Sequence, residues 1–357
     1  MEIRVEPLAE DRLKPIPTDS SKLGFGQIFT NRMLTARWDA HEGWHDARIG
    51  PYEPIALDPA AKVYHYGQEV FEGLKAYLWQ DGRVVLFRPG MNAVRLNRSA
   101  RRLALPEVPE QLFLEGIDTL VRLESDWIPS AAGTALYIRP ALIAVEPKLG
   151  VRPSEQCLFF VILSPVGAYY AAGFHPVNIL VEDHYVRAVP GGTGAAKAGG
   201  NYAASLVAGL KAKERGYEQV LWLDGCQHRF VEEVGAMNIF FVIDATLVTP
   251  PLTDSFLAGV TRDSVLELAG ALGIPVEVRP VDIHDLLAGV RSGRVSEAFG
   301  TGTAAVVSPV GVLGYREESF TVGSGGVGPV TQQLYDTLTG IQRGLLPDRF
   351  GWLHEVP

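Results

Sequence analysis

The chain has few cysteines, no excess of positive charge and no long apolar run. Cys157 and Cys226 are the only cysteines among 357 residues, too few for a disulfide framework, so we expect a reducing cytoplasm. The net charge of −9 argues against nucleic acid or an anionic membrane as the main partner, although a locally basic site could still bind a small anion. No apolar run is long enough to span a membrane, and residues 1–6 lack the apolar stretch of a signal peptide.

What remains is the composition of a globular protein. Apolar residues make up 47% and charged residues 20%, which fits a chain that buries a large core, and the length suffices for two domains. The residue patterns predict a mixed α/β (α+β) fold. We expect strands at 25–38, 76–87, 136–145, 158–163, 177–182, 219–223 and 238–243, and helices at 92–100, 112–125, 202–215, 261–272 and 330–340. Pro and Gly in residues 164–173 mark a junction, which predicts domains at 1–165 and 177–357 joined by a loop at 166–176.

One lysine lies in a segment of glycines and alanines, residues 191–202, with the sequence GGTGAAKAGGNY. No other charge stands near Lys197, so its amine can be desolvated and can attack a carbonyl. Two other interpretations are an exposed lysine in a mobile glycine loop and a phosphate-binding nucleotide loop. The nucleotide loop requires Gly before the lysine and Ser or Thr after it, but here Ala196 and Ala198 flank it.

Four further segments decide among these readings. They are 65–77 (HYGQEVFEGLKAY), 136–140 (LYIRP), 233–238 (EVGAMN) and 300–305 (GTGTAA). In this order and spacing they resemble the branched-chain amino acid aminotransferases, a family of pyridoxal-phosphate enzymes of fold type IV. The resemblance covers the chain from about Gly24 to about Pro309 and is closer to the eukaryotic-like branch of the family.

The resemblance implies a fold and a reaction. The fold is a smaller N-terminal α/β domain and a larger C-terminal domain, with pyridoxal 5'-phosphate in the cleft between them. The reaction is reversible amino transfer from leucine, isoleucine or valine to 2-oxoglutarate. Lys197 would form the Schiff base with the cofactor and then move a proton as general acid and base. The family also implies a homodimer whose sites borrow residues from the partner subunit, and no metal.

The resemblance assigns the cofactor contacts residue by residue. Glu233 would hold the pyridine nitrogen protonated, and strand alternation allows only one of Glu232 and Glu233 to face the site. Two solvent-exposed carboxylates are the alternative. Arg95 would bind the phosphate, aided by the amides at a helix start. The full set of expected cofactor contacts is Arg95, Arg187, Tyr202, Glu233, Ala236, Asn238, Gly259, Val260, Thr261 and Thr303.

The substrate end requires an apolar pocket and a grip on the carboxylate. Tyr137 and the amides of Thr303 and Ala304 would hold the α-carboxylate. Arg139 could meet the side-chain carboxylate of glutamate, with a structural ion pair as the alternative. The candidates for the substrate end are Tyr66, Phe71, Tyr137, Arg139, Tyr169, Gln219, Ala304 and Ala305.

Two positions depart from the family pattern. Ala305 and Ser308 stand where mammalian members carry a pair of cysteines, so that thiol redox control is absent. Ala236 replaces a threonine and removes a hydroxyl near the cofactor ring.

Three rivals stay open from the sequence. A D-amino acid aminotransferase and an aminodeoxychorismate lyase share the fold, but residues 66–71 and 137–139 argue against both. A nucleotide-binding module without catalysis would be colourless, whereas an aminotransferase should be yellow.

Overall fold

A computed structural model describes residues 1–167 and 174–357. The strands are β1 (Arg4–Val5), β2 (Arg32–Asp39), β3 (Gly43–Pro51), β4 (Glu69–Phe71), β5 (Leu74–Leu78), β6 (Val84–Phe87), β7 (Ala135–Ala144), β8 (Gln156–Val166), β9 (Val177–Glu182), β10 (Gln219–Leu223), β11 (Val231–Val234), β12 (Met237–Ile243), β13 (Thr246–Thr249), β14 (Val276–Val278), β15 (Val295–Gly302), β16 (Val306–Tyr315), β17 (Glu318–Thr321) and β18 (Leu353–Glu355). The helices are α1 (Lys62–Tyr66), α2 (Pro89–Arg102), α3 (Glu110–Leu123), α4 (Gly199–Ala203), α5 (Leu206–Glu214), α6 (Val260–Ala271), α7 (Ile283–Ser292) and α8 (Pro329–Gln342). None of these helices combines the length and apolar character needed to span a membrane, a statement limited to the described ranges.

The chain folds into two compact units, each with its own sheet. The first unit contains the described residues up to 167, together with Ala196–Gly199 and Gly340–Pro357. The second contains residues 174–195 and Gly200–Thr339. The segment that carries Lys197 therefore belongs to the first unit. The domain boundaries at 165 and 177 stay a prediction.

The first sheet has the order β1-β3-β2-β8-β7-β5-β6-β18, and β4 also pairs with β7. Helices α2 and α3 cover one face, because the apolar sides of both helices are buried with Leu34, Phe113 and Phe159 in one core. Most neighbouring strands are antiparallel, so short connections suffice to join them.

A break in this sheet positions a carboxylate. β4 pairs with residues 141–143 of β7, and β5 pairs with residues 136–138. Between them Pro140 has no N–H to donate, and its carbonyl instead accepts the backbone N–H of Glu72 at 2.8 Å. Glu72 therefore lies at the step where the chain passes from β4 to β5.

The second sheet runs β11-β10-β9-β16-β15-β12-β13-β14, with β17 beside β16. Because β11 pairs with both β10 and β12, the strands from β11 to β12 close into a ring. Phe240 and Phe299 stack 5.3 Å apart between ring centroids on neighbouring strands, and α5 packs against Trp222. This closure aligns the side chains of β11, β12 and β15 on common faces.

Three predicted elements differ from the structure. The strand predicted at 76–87 is two strands, β5 and β6, because the chain turns back between Trp79 and Arg83. Residues 25–31 form no strand, because Phe29 stacks on Tyr52 and the Lys14 ammonium donates to the carbonyls of Phe29 and Thr30. The predicted helix at 202–215 is split into α4 and α5, where the Ser205 hydroxyl donates to the Tyr202 carbonyl.

Candidate active site

The backbone of Lys197 is fixed on both sides. Its N–H donates to the Ser99 hydroxyl at 2.9 Å, and its carbonyl accepts the N–H of Phe71 at 3.0 Å. The Ser99 hydroxyl in turn donates to the carbonyl of Arg95 at 2.9 Å. The Lys197 ammonium nitrogen lies 5.0 Å from the centre of the Phe71 ring. The backbone of Lys197 is thus bound to α2 and β4, and the residue is half-buried, which argues against an exposed lysine in a mobile loop.

Arg95 forms a buried ion pair that the sequence did not predict. Its Nε and Nη2 donate to the two oxygens of Glu72 at 2.7 and 2.8 Å. Burial raises the pKa of the Glu72 carboxyl, but the charges of Arg95 and Lys197 and hydrogen bonds from Arg95 and Asn92 outweigh it and hold that pKa below its usual value. Arg95, Glu72 and Lys197 therefore form one electrostatic group.

Tyr137 and Arg139 lie two residues apart on β7 and share a face, as alternation predicts. Arg139 Nη2 donates to the Tyr137 hydroxyl at 3.2 Å, and the guanidinium lies 4.8 Å from the centre of the Phe71 ring. The Tyr137 hydroxyl lies against Gly73, where a methyl group would overlap it. An apolar ring, a phenol and a cation are thus neighbours.

The second unit holds Glu233 in a different network. Arg187 is buried, and its Nε lies 2.8 Å from Glu233 Oε2. Arg187 Nη1 donates to the carbonyls of Gly194 and Ser255 at 3.2 and 2.9 Å. The Asn238 amide donates to Glu233 Oε1 at 3.2 Å. Gly194 is required here, because a methyl group would overlap the Ser255 carbonyl.

Glu232 and Glu233 are both buried, so the alternative of two exposed carboxylates is wrong. They point to opposite faces of β11, and Glu232 accepts the Ser255 hydroxyl. Burial raises the pKa of the Glu232 carboxyl.

The face that carries Glu233 continues across the sheet. Glu233 pairs with Asn238, and Asn238 pairs with Thr301 on β15, so the three side chains share one side. The Thr301 hydroxyl is buried and has no hydrogen-bond partner among the described residues. A polar group on a bound molecule would satisfy it.

Helix α6 begins close to this face. Gly259 precedes its first turn, and a methyl group there would overlap the Asn238 side-chain oxygen. Val260 and Thr261 open the helix, and no side chain of the described residues caps it. The first amides of such a helix are oriented to bind an anion.

The turn from β15 to β16 contains Thr303, Ala304 and Ala305, all half-buried. Val306 follows with a φ of 62°, which is unusual for a β-branched residue and holds the turn in one shape.

The remaining candidates are placed less centrally. The side chain of Tyr66 is exposed and its hydroxyl accepts the Gly150 N–H at 2.9 Å, and Ala236 is also exposed. Tyr202 is half-buried in α4, and Gln219 is half-buried where its side chain lies against Gly235. Tyr169 lies outside the described residues.

Sequence reasoning missed four residues beside the candidates: Phe25, Glu72, Ser99 and Thr301. The Phe25 ring packs edge-on against Tyr137 at 4.9 Å between centroids. Of the four, Thr301 carried a usable signal, because it lies two residues before Thr303 in the motif at 300–305.

A group of potential metal ligands lies at the β2–β3 hairpin. Oxygen or nitrogen atoms of Asp39, Glu42 and His45 come within 4.8 Å of one another. Asp39 already accepts the amides of His41 and Glu42 in the turn, so the group serves the hairpin.

The geometry agrees with what the chain resembles. The amino-transferase class IV family model matches residues 69–312. The chain belongs to this family. It is 51% identical over 354 residues to branched-chain-amino-acid aminotransferase 2 of Bacillus subtilis (strain 168), covering 99% of this chain and 97% of that one. Branched-chain-amino-acid transaminase 1 of the same organism is 53% identical over 339 residues, with 95% of each chain covered.

Solved structures show the same fold. The branched-chain amino acid aminotransferase of Escherichia coli matches with a TM-score of 0.73 and 30% identity, covering 90% of this chain and 99% of the other. The branched-chain amino acid aminotransferase from Thermobaculum terrenum, solved in its PLP-form (holo-form), matches with a TM-score of 0.73 and 26% identity. That match covers 90% of this chain and 98% of the other. The protein is an aminotransferase of fold type IV.

Proposed function

We propose that the protein transfers amino groups reversibly between leucine, isoleucine or valine and 2-oxoglutarate, with pyridoxal 5'-phosphate carried on Lys197. The observation that carries this proposal is the amine of Lys197 over the ring of Phe71, on a backbone that Ser99 binds, with Tyr137 and Arg139 on the neighbouring strand. The names of relatives that are more than half identical over nearly the whole chain support the choice of substrate.

The residues fit the chemical groups of this cofactor. Lys197 supplies the amine for its aldehyde, and Glu233 an acceptor for its ring nitrogen. Arg95 and the start of α6 supply donors for its phosphate. Thr301 offers a buried hydroxyl that has no partner among the described side chains and backbone.

When bound, pyridoxal phosphate withdraws electrons from the substrate α-carbon. Side chains of the protein hold and move the protons. Glu233, held by Arg187 and Asn238, keeps a proton on the ring nitrogen. The Lys197 amine removes and returns the proton of the α-carbon, and its fixed backbone limits where that proton can go.

The substrate end must accept two kinds of side chain. Phe71 and the ring of Tyr137 offer apolar surface to leucine, and Arg139 offers a cation to the side chain of glutamate. Leucine and isoleucine are isomers and valine is one methylene smaller, a difference worth about 0.8 kcal/mol, so one pocket serves all three.

The protein should act as a homodimer in the cytoplasm. Leu206 and Leu210 on α5 are 64% and 62% exposed, and with Val207 they form an apolar patch that a second copy would cover. The free thiols of Cys157 and Cys226 fit a reducing compartment. Light scattering should give twice the chain mass, and a Leu206→Glu/Leu210→Glu variant should shift it towards one chain. A monomeric wild type would contradict the dimer.

The test of the function is a steady-state panel of amino acids with 2-oxoglutarate. We expect a yellow protein whose kcat/KM is highest for leucine, isoleucine and valine and at least about tenfold lower for alanine and aspartate. A colourless protein, or one that prefers D-alanine, would refute the proposal.

A further inference from the structure

Glu72 is a buried carboxylate for which the proposed reaction has no direct use. Its side chain is fully buried at the step between β4 and β5. One oxygen accepts Arg95 Nε, and the other accepts Arg95 Nη2, the Asn92 amide at 2.8 Å and the Gly73 N–H at 3.1 Å. A carboxylate that accepts all of these hydrogen bonds, including a bidentate pair from a guanidinium, is fixed in place.

This pair restricts how Arg95 can bind an anion. A guanidinium presents its donors as a rigid planar fork, and Glu72 takes the edge formed by Nε and Nη2. Two of the Arg95 donors are thereby bound to Glu72, and the plane of the guanidinium is fixed. Arg95 is therefore oriented by Glu72 before the phosphate arrives.

Glu72 and Arg95 are connected to Lys197 in two ways. The Arg95 carbonyl accepts the Ser99 hydroxyl, which accepts the Lys197 N–H, so the arginine and the lysine share one chain of hydrogen bonds. The Lys197 charge also acts on the Glu72 carboxylate. The contact with Lys197 runs through the backbone carbonyl of Arg95, whereas Glu72 contacts the guanidinium, so displacing Glu72 should act mainly on the phosphate end.

We propose that Glu72 is a positioning residue, which orients Arg95 towards the cofactor phosphate. This inference rests on the proposed function. It predicts a loss of phosphate affinity that is opposite to the expectation from charge alone. Removing the negative charge of Glu72 leaves the site more positive, yet the phosphate should bind less tightly. The reason is that an oriented fork binds phosphate better than a guanidinium that is free to turn.

The experiment compares two ligands with one variant. Pyridoxal 5'-phosphate and pyridoxal, which lacks the phosphate, are titrated into the cofactor-free full-length chain of the wild type and of Glu72→Gln. We expect the Kd of pyridoxal phosphate to rise about tenfold or more, the worth of one charge-assisted hydrogen bond, and the Kd of pyridoxal to change less than about threefold.

Two controls separate orientation from folding. Glu124→Gln breaks a similar pair in the same unit, because Glu124 is buried and accepts Arg32 Nη1 at 3.1 Å, and it should alter neither Kd. Glu72→Gln added to Arg95→Gln should have no further effect on the Kd of pyridoxal phosphate, because the two residues act through one contact. Should Glu72→Gln be insoluble, Glu72→Asp keeps the charge with a shorter reach and should show the same selective loss at smaller size.

The outcomes are decisive. Tighter or unchanged binding of pyridoxal phosphate to Glu72→Gln overturns the proposal, as does an equal loss for both ligands. A wild type that binds neither ligand through a lysine refutes the proposed function instead.

Discussion

Each unit contains a buried arginine–glutamate pair that includes an expected cofactor contact, and the two pairs divide their roles in opposite ways. In the first, Glu72 is surrounded by donors from Arg95, Asn92 and Gly73, so the arginine is the member that can serve a ligand. In the second, Arg187 is bound to two backbone carbonyls, so Glu233 is the member that can serve one.

The comparison shows that burial and pairing do not identify the working residue. Both pairs are buried, and both have an Nε contact of 2.7 to 2.8 Å. What differs is the member that the neighbouring groups bind: donors from Asn92 and Gly73 surround Glu72, whereas backbone carbonyls accept from Arg187. Under the proposed function, the same two residue types provide a positively charged end for a phosphate and an acidic partner for a ring nitrogen.

Breaking the second pair, Arg187 and Glu233, should have the largest effect on kcat. Glu233→Gln removes the acidic partner of the ring nitrogen, and kcat should fall about 10²- to 10³-fold, as for the loss of other electrostatic contacts in an active site. Glu232→Gln is the matched control, because Glu232 is the buried neighbour on the opposite face of β11 and should stay within a few-fold of wild type. Similar losses in both variants would mean that the two carboxylates stabilise the fold and that Glu233 has no special role in catalysis.

A third arginine sharpens the comparison, because Arg139 packs over two aromatic rings, and its charge also acts on the Glu69 carboxylate. It lies over Phe71 and donates to Tyr137, and its Nε is buried with no hydrogen bond to the described residues. Arg139→Met should slow the half-reaction with glutamate about 10- to 100-fold and that with leucine by less than about threefold. Single-turnover absorbance of each half-reaction separates the two, and equal losses would make Arg139 a scaffold residue.

A substitution at Gly73 tests how much space lies beside the first pair, Arg95 and Glu72. Its N–H donates to Glu72, and a methyl group there would overlap the Tyr137 hydroxyl. Gly73→Ala should raise the KM for leucine about tenfold by displacing the phenol. Gly90→Ala, where a methyl group meets nothing within 4 Å, should leave KM unchanged, and a shift of both would indicate a global effect.

Oxidation should have the smallest effect, because neither pair involves sulfur. Burial raises the pKa of the Cys157 thiol to about 12, so it carries almost no reactive thiolate at neutral pH, and Cys226 is exposed. Mild peroxide should leave kcat within about twofold of its starting value. Inactivation that dithiothreitol reverses would show thiol control of the site.

The fold was predicted best where one pattern dominates. β9 and β10 have the predicted bounds, because each is a short apolar run between turn signals. The strand prediction for residues 25–31 is wrong, because aromatic residues also occur in irregular segments. Here Lys14 and the stack of Phe29 on Tyr52 hold such a segment in place. Strands β3, β15 and β16 were not predicted. Glycine and proline interrupt β16, and one of its partners is the distant strand β9.

For the candidate site, sequence reasoning named the residues proposed to meet the cofactor and missed the residues that contact them. Lys197, Arg95 and Glu233 were named from motif order, and their roles stay predictions. Glu72 stood inside a motif, but nothing local shows that a charged residue will be fully buried against an arginine 23 positions away. Ser99 likewise acts on a lysine 98 positions distant, a contact that only the folded chain defines.

The most direct test of the account is to locate the cofactor on the chain. Lys75 is a real rival, because it is buried and desolvation, together with Arg343, lowers its pKa to about 8, which favours a reactive amine. Borohydride reduction of the yellow protein followed by peptide mass mapping should place the pyridoxyl adduct on Lys197, with Lys75 unmodified. An adduct on Lys75, or on any lysine other than Lys197, would contradict the assignment of the active site.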